Sequence, residues 1–263
     1  MTRAERLSAL LEMLVVDGRI EVERAADAFT VSAATIRRDL DHLAAQQLLS
    51  RTHGGAVPNA TSYDLPLRYR TTADSSVKAR LGRAAAELLW SGCTVALNGG
   101  TTTVEVARAI PGVEQLSAGV TVLTNALNIA AELTVRPHIK IVVTGGVARP
   151  QSYELVGPLA EHTLDQLTPD LCFLGATGID PRHGVTAHDE SEAAINRLMM
   201  ARARRTIVVA DATKINKVGF TRICHLHDIT GLLTDDRITT EQRAKLAEAS
   251  VEVTTVPYTD PHH

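Results

Sequence analysis

The stretch Val31-Ser32-Ala33-Ala34-Thr35-Ile36-Arg37-Arg38-Asp39-Leu40 decides how the first part of this chain folds. The Ser32 hydroxyl suits a helix N-cap. Apolar residues then recur at the spacing of one buried helix face, namely Ile36, Leu40 and Leu43. The opposite face carries small and basic side chains, namely Ala34, Thr35, Arg37 and Arg38. We therefore predict a helix from Ser32 to about Ala45 whose outward face is small and basic.

Two more helices precede this one, and a hairpin follows it. Leucines at helical spacing, with Gly18 as a stop, predict a helix from Arg3 to Asp17. A second, short helix fits Glu23 to Phe29. After the third helix, predicted strands at 48–51 and 56–57 bracket the glycine turn Thr52-His53-Gly54-Gly55. Three short helices followed by a hairpin predict a winged helix-turn-helix.

A small, basic helix face suits the major groove of DNA. Small side chains let a helix approach the bases, and Arg can bond a guanine edge or clamp a phosphate. Arg51 and His53 on the wing are placed to touch the adjacent backbone. The candidate DNA-binding residues are Ser32, Thr35, Arg37, Arg38, Arg51 and His53.

Charge alone leaves a second interpretation open. Residues 1–58 hold seven Lys or Arg against eight Asp or Glu, so this domain is not basic overall. Arg37 and Arg38 could form an ordinary solvated face and pair with Asp39 and Asp41.

Composition sets the limits of the whole protein. With 263 residues, 44% of them hydrophobic, the chain can bury one large core and one small one, so we expect two unequal domains. A net charge of −3 confines any nucleic-acid contact to a local cluster. We see no apolar run of about 18 residues and no apolar signal core, and expect a soluble, cytoplasmic protein. Three widely spaced cysteines predict reduced, mostly buried thiols.

In the larger part of the chain, β-rich runs alternate with helical patterns, which predicts an α/β domain with a mainly parallel sheet. The predicted strands are Thr94 to Leu97, Val120 to Leu123, Ile139 to Val143, Leu171 to Leu174, Thr206 to Ala210 and Leu232-Leu233. The predicted helices are Val77 to Trp90, Thr102 to Ala109, Ala126 to Leu133, Glu190 to Arg205 and Thr240 to Ser250. The polar stretch 58–64 is the best linker candidate. We assign residues 1–58 to the winged helix-turn-helix domain, 59–76 to the linker and 77–257 to an effector-sensing and oligomerisation domain.

Polar or glycine-rich turns follow five of the predicted strands, and ligands of parallel sheets bind outside such strand ends. Each turn alone is ordinary strand-end chemistry, but five on one edge favour a binding site. Gly99 to Thr103, leading into a helix, make a plausible anion cradle, and Lys214 could supply a cation. Carboxylates at 180, 192 and 211 could accept sugar hydroxyls. The candidate effector-binding residues are Asn98, Gly99, Gly100, Thr101, Thr102, Thr103, Thr124, Asn125, Gly145, Gly146, Asp180, Glu192, Asp211 and Lys214.

Residues 31–40, followed by Leu49-Ser50-Arg51-Thr52-His53-Gly54-Gly55-Ala56, resemble the DeoR family of bacterial regulators. The resemblance runs from Arg3 to Asp235. In the larger domain it rests on Lys78, the Gly-Thr-Thr turn, Thr124-Asn125, Gly145-Gly146, Gly157-Pro158, Gly184-Val185-Thr186, Glu192 and Asp211 to Lys214. It implies DNA binding, a sugar-catabolism repressor, sugar-phosphate effectors and a larger domain similar to ribose-5-phosphate isomerases and CoA transferases. Asn98 departs from the acidic residue that the family usually carries there.

The leading hypothesis is a transcriptional repressor of a sugar or polyol operon whose operator affinity depends on a phosphorylated sugar. A rival is a sugar-phosphate isomerase or acyl-group transferase using Glu192, Asp211 or Lys214 as acid and base. A third makes the larger domain only an oligomerisation platform. We expect double-stranded operator DNA as partner, and a homo-oligomer, dimer or tetramer, because palindromic operators imply at least two subunits.

We expect no cofactor and no metal. His188-Asp189-Glu190 and His225-Leu226-His227 both lack further ligands at convincing spacing. The terminal pair His262-His263 is expected to be disordered.

Overall fold

The computed structural model describes residues 1–46, 48–57, 75–116 and 118–258. The chain divides into two compact units, Met1–Ala73 and Asp74–His263. The linker candidate 58–64, nearly all of the assigned linker 59–76, and His262-His263 lie outside the described residues; Ser75 and Ser76 belong to a helix. No helix in the described part of the chain is both long and apolar enough to cross a membrane.

The N-terminal unit is a three-helix domain with a small antiparallel sheet. Its elements are α1 (Arg3–Asp17), β1 (Ile20–Glu21), α2 (Val22–Phe29), α3 (Ala33–Ala45), β2 (Ser50–Thr52) and β3 (Gly55–Val57), and its strand order is β1-β3-β2. Thr2 and Glu5 form a capping box at the start of α1, and Gly18 ends it in the left-handed conformation. The predicted winged helix-turn-helix is confirmed.

Two details of this unit differ from the prediction. The wing strand begins at Ser50, because Leu48 and Leu49 are 7% and 2% exposed and pack in the core below the wing. The wing also has a third strand, β1, whose residue Ile20 pairs with Ala56 of β3. A side chain at Gly55 would collide with the Ile20 carbonyl, so this pairing requires glycine at position 55.

The C-terminal unit is built on a seven-stranded parallel sheet. Its helices are α4 (Ser75–Ala86), α5 (Thr101–Ala109), α6 (Leu127–Leu133), α7 (Pro158–Asp165), α8 (Glu190–Arg202) and α9 (Thr240–Glu248). The sheet strands are β4 (Thr94–Leu97), β5 (Val120–Thr124), β6 (Ile139–Val143), β9 (Leu171–Leu174), β12 (Arg205–Val209), β14 (Gly231–Asp235) and β15 (Glu252–Val256). Their order in the sheet is β15-β14-β12-β9-β4-β5-β6. The predicted α/β class with a mainly parallel sheet is confirmed.

Both faces of this sheet are buried, as parallel strands require. Along β12, Val208 packs in one hydrophobic core while Ile207 and Val209 pack in the other. Residues of α4, α5 and α6 fill the second core, and residues of α7, α8 and α9 fill the first. The unit is therefore a three-layer α/β/α sandwich.

Shorter strands lie outside the main sheet. The hairpin of β7 (Val147–Ala148) and β8 (Leu155–Val156) follows β6 along the chain. A second antiparallel sheet joins β10 (Gly178–Asp180), β11 (Gly184–Ala187) and β13 (Thr221–Cys224). These strands, β15 and α7 were not predicted.

Several predicted helix ends are wrong. The first helix of the C-terminal unit, α4, ends at Ala86 rather than at the predicted Trp90. Beyond Ala86 the amides of Leu88 and Leu89 donate to carbonyls only three residues back. The helix predicted to reach Arg205 ends at Arg202, since Arg205 opens β12. The last predicted helix ends at Glu248, and Ala126 is an N-cap rather than a helical residue.

Candidate functional site

The outward face of α3 is open to solvent in the N-terminal unit. Ser32 caps the helix by accepting a hydrogen bond from the Thr35 amide at 3.2 Å, and the two hydroxyls lie 2.9 Å apart. Ala34, Arg37 and Arg38 are exposed, while Ile36, Leu40 and Leu43 are fully buried. The helix therefore presents the small, basic face that its sequence pattern predicts.

Asp39 anchors this helix from its buried side. Its carboxylate accepts from the Arg6 Nε at 2.6 Å and from the Arg3 Nε at 3.4 Å, both on α1. The pairing of Arg37 and Arg38 with Asp39 and Asp41, which charge alone had left open, is not formed. The reason is that Asp39 faces inward, toward α1, with 2% of its surface exposed.

The two outward arginines keep their charged ends near solvent. Arg37 makes a 3.4 Å contact with Glu23, and 58% of its side chain is exposed. Arg38 Nε donates to the carbonyl of Ala34 in its own helix at 3.3 Å. Exposed pairs of this kind contribute about 1 kcal/mol or less, so a phosphate or base could displace them.

Arg51 ties the wing to α3. Its Nε donates to Asp41 Oδ1 at 2.8 Å, and its Nη1 donates to the Gly55 carbonyl at 2.5 Å. His53 lies exposed in the turn between β2 and β3. Both predicted wing contacts are exposed, and Arg51 in addition holds the wing to α3.

In the C-terminal unit, parallel pairing brings the carboxyl ends of β4, β5, β6, β9 and β12 to one side of the sheet, which we call the carboxyl edge. All five predicted strand-end turns begin there. After β4, Gly100 is the N-cap of α5 with a φ of 147°, in a region that favours glycine. Thr101, Thr102 and Thr103 form the first turn of α5, whose N-terminal amides favour an anion.

Several candidate polar groups at this edge hold the strands together. Asn98 donates to the Gly175 carbonyl at 3.2 Å and accepts from the Gly175 amide at 2.8 Å, which bridges β4 to the residue after β9. An ionised acidic residue could not donate the first of these bonds. Thr124 Oγ1 donates to the Leu97 carbonyl at 2.7 Å, and Thr103 is fully buried with its hydroxyl on the Gly100 carbonyl.

The three carboxylates proposed as hydroxyl acceptors each have a local partner. Asp180 accepts from the amides of Arg182 and His183 in the hairpin turn after β10, outside the main sheet. Hydrogen bonds from His183 and Arg182 hold the pKa of Asp180 below its ordinary value, against the opposing effect of burial. Asp211 caps the short 3₁₀ turn Ala212–Lys214 and also accepts from the Thr213 hydroxyl.

Glu192, in the first turn of α8, is held by Arg149, which the sequence pattern does not single out. Arg149 donates to Glu192 Oε1 at 3.0 Å and lies 2.8 Å from Asp189, the N-cap of α8. Arg149 follows β7, so this cluster ties the β7–β8 hairpin to α8. Gly145 and Gly146 form the turn that leads from β6 into the hairpin.

Lys214 is the last residue of the 3₁₀ turn Ala212–Lys214, and the first residue of that turn is hydrogen-bonded to Asp235. Asp235, the last residue of β14, accepts from the Ala212 amide at 2.8 Å and from Arg237 Nε at 2.6 Å. Burial alone would raise the pKa of Asp235, but the hydrogen bonds from Arg237 and Ala212 outweigh it and lower the pKa. The turn carrying Lys214 is therefore fixed to two neighbouring strand ends.

Glu154 is a second residue that the sequence pattern does not single out. It is 3% exposed, lies just before β8 and accepts from Asn125 Nδ2 at 3.0 Å. Its side chain lies against Gly99, so it reaches the turn that leads into α5. Within the described residues, no group of three or more His, Cys, Asp or Glu side chains could hold a metal ion.

The chain joins a winged helix-turn-helix, whose third helix has an exposed basic face, to an α/β domain with a polar carboxyl edge. Together these two parts define a transcriptional regulator with a ligand-binding domain. Residues 6–62 match the DeoR-like helix-turn-helix domain, and residues 73–236 match the DeoR C terminal sensor domain. The chain belongs to the DeoR family of transcriptional regulators.

Two relatives named as transcriptional regulators agree with this assignment. The chain is 32% identical over 258 residues to the HTH-type transcriptional regulator YulB of Bacillus subtilis strain 168, covering 98% of each chain. It is 29% identical to the glycerol-3-phosphate regulon repressor of Escherichia coli strain K12, covering 89% of this chain and 92% of that one. Ribose 5-phosphate isomerase A of Methanocaldococcus jannaschii superposes with a TM-score of 0.41 at 14% identity, over 54% of this chain and 55% of that one.

Proposed function

We propose that this regulator represses an operon for the catabolism of a sugar or polyol and that a phosphorylated sugar changes its affinity for operator DNA. Residues 1–58 bind double-stranded DNA, and residues 77–257 sense the effector and form a homo-oligomer, a dimer or tetramer. The observation that carries the proposal is the solvent-exposed basic face of α3, held in place from behind by Asp39. A regulator that binds operator DNA acts in the cytoplasm, where we place this protein.

The DNA-binding half of the proposal assigns base contacts to α3 and backbone contacts to its flanks. Arg38 lies near the centre of the exposed face and reads a base edge, while Arg37 and the Ser32–Thr35 hydroxyl pair lie where phosphates would pass. His53 and Arg51 of the wing contact the adjacent backbone. Because the unit is not basic overall, affinity depends on these few contacts.

The sensing half assigns the phosphate of the effector to the first turn of α5. Gly100 lets the ligand approach the backbone, whereas the space beside Gly99 is taken by Glu154, and Lys214 supplies a compensating cation. One relative bears the name glycerol-3-phosphate regulon repressor, which supports a phosphorylated polyol as the chemical class.

We further propose that the protein is not an enzyme. An isomerase or acyl-group transferase on this sheet would need a carboxylate available for proton transfer. Glu192 is neutralised by Arg149 at 3.0 Å, and Asp211 is committed to capping its own turn. Turnover of ribose 5-phosphate or a CoA thioester by the purified protein would contradict this part of the proposal.

Fluorescence anisotropy with the DNA upstream of the protein's own gene tests the DNA-binding half. We expect binding that weakens steeply with salt, with a slope of about −0.9 per phosphate neutralised on a plot of log affinity against log salt concentration. Scrambled DNA of the same length is the control. Absent or salt-independent binding would contradict the proposal.

A further inference from the structure

Asp41 is an acidic residue on the same face of α3 as Arg38. A helix turns by about 100° per residue, so Asp41, three residues after Arg38, points within about 60° of it. Both residues are exposed, and 63% of the Asp41 side chain is open to solvent. The fully buried residues Ile36, Leu40 and Leu43 lie on the opposite side of the helix. Asp41 therefore lies on the surface that would enter the major groove.

Arg51 of the wing neutralises this carboxylate. Without a cation beside it, Asp41 would oppose DNA binding, because DNA phosphates carry negative charge. Arg51 Nε donates to Asp41 Oδ1 at 2.8 Å, and Arg51 Nη1 donates to the Gly55 carbonyl at 2.5 Å. The guanidinium is thus fixed to the wing at one end and to Asp41 at the other. Among the described residues, no other hydrogen bond or ion pair holds the Asp41 carboxylate.

The Asp41 carboxylate can accept a further hydrogen bond. A carboxylate offers about four lone-pair positions, so Asp41 can bind a donor and keep its bond to Arg51. Its exposure leaves these positions open to a molecule that lies along α3. Because Arg51 holds the side chain in place before DNA arrives, little side-chain freedom is lost on binding.

The chemistry of the major groove decides what such an acceptor recognises. The hydrogen-bond donors there are the amino groups of cytosine and adenine. The adenine amino group lies between two acceptors, adenine N7 and thymine O4, which would repel a carboxylate. The cytosine amino group has one neighbouring acceptor, guanine O6 of its own base pair. A carboxylate on the groove-facing side of a helix is therefore best matched to cytosine.

We propose that Asp41 recognises the amino group of a cytosine in the operator and that Arg51 positions its carboxylate. This inference rests on the DNA-binding half of the proposed function and adds an acidic residue to the contacts named there. Arg51 keeps further N–H donors for a phosphate, since the two bonds to Asp41 and Gly55 use only part of its guanidinium. A rise of about 1.5 Å per residue places this cytosine within about two base pairs of the base that Arg38 contacts.

Selection from a pool of random double-stranded DNA with the full chain tests this inference. In wild type we expect cytosine at one position near the one that Arg38→Ala changes. Asp41→Ala should lower the preference for cytosine at that position by about fivefold or more and leave the other positions unchanged. Asp41→Asn should raise the ratio of adenine to cytosine there, because an asparagine amide bonds both N6 and N7 of adenine.

Two further variants separate base recognition from other effects of charge. Arg51→Ala should weaken the preference at the same position, because the Asp41 carboxylate is no longer held in place. Asp27→Ala is the matched control, since it removes an exposed carboxylate from α2 in the same unit. It should raise the affinity for all sequences alike and leave every base preference unchanged. Each preference is a ratio within one selection, which a partial loss of folded protein would not change.

Two negative outcomes are distinct. If wild type selects a defined sequence and Asp41→Ala selects the same sequence with the same preferences, the role of Asp41 is refuted while the proposed function stands. That result includes a variant whose affinity falls equally for all sequences, as expected if Asp41 only holds the wing. If wild type selects no sequence, the DNA-binding half of the proposed function is refuted, and the role of Asp41 with it.

Discussion

Arg6 Nε lies 2.6 Å from Oδ2 of Asp39, and this contact joins the first helix to the buried side of the recognition helix. The Asp39 side chain is 3% exposed and that of Arg6 is 11% exposed, so the pair is shielded from water. Its position sets the rotation of α3 and hence which side chains point outward.

We predict that Asp39→Ala destabilises the N-terminal unit by about 3 kcal/mol, because it leaves the buried Arg6 charge without its partner. Urea unfolding of the full chain, followed by operator binding at each urea concentration, measures this loss. Asp41→Ala is the control. Its ion pair with Arg51 is largely exposed, so it should cost less than about 1 kcal/mol. Equal losses for the two variants would contradict the prediction.

Arg38→Ala should relax the sequence preference of the regulator. Loss of a good base contact costs about 1–3 kcal/mol of discrimination, whereas nonspecific DNA loses only a charge. Anisotropy titrations with operator and scrambled DNA give the ratio of affinities. Arg136→Ala, an exposed arginine of the C-terminal unit, should leave this ratio unchanged. If Arg38 contacts a phosphate instead of a base, Arg38→Ala would lower the affinity for operator and scrambled DNA by the same factor.

Asp235→Asn should destabilise the C-terminal unit by about 2 kcal/mol at pH 7 by weakening its bonds to Arg237 and the Ala212 amide. The folded state lowers the pKa of Asp235, so its ionised form stabilises the fold at pH values above the unfolded pKa of about 3.9. This contribution is lost as the pH falls through the lower pKa of the folded state. Thermal melts from pH 7 to pH 3 should therefore show that the difference in melting temperature between wild type and variant becomes smaller in acid. A difference that becomes larger in acid would contradict the prediction.

The cysteines should react only when the protein unfolds. All three are free and buried, as predicted, and burial raises the pKa of Cys172 and Cys224 to about 12. Burial also raises the pKa of Cys93. At pH 8 a thiol reagent should therefore label the native protein far more slowly than the urea-unfolded protein. Rapid labelling of any one thiol in the native state would contradict its burial.

Much of the fold could be predicted because burial imposes a period on the sequence. The helix from Arg3 to Asp17 and the strands at 94–97, 139–143 and 171–174 have the predicted bounds. Each of them has buried apolar residues that face a core, and Gly18 or polar turns end them. The helix Pro158–Asp165 escaped prediction because it is only eight residues long and buries just Ala160 and Leu164.

The candidate site was predictable where the backbone forms it and not where distant segments meet. The turn after β4 follows directly from its place at a strand end. Glu154 lies in a hairpin that is not part of the main sheet, so only tertiary packing brings it to Gly99. Asp39 is a similar case, since its partners Arg3 and Arg6 lie on a different helix and its neighbours in sequence are also arginines.

The most direct test of the regulator model is the operator affinity of the full chain with and without a saturating sugar phosphate, measured by anisotropy. We predict that the sugar phosphate changes operator affinity by about 5- to 150-fold and that DNA changes the affinity for the sugar phosphate by the same factor. Operator binding that is identical with and without every sugar phosphate that binds the protein would contradict it.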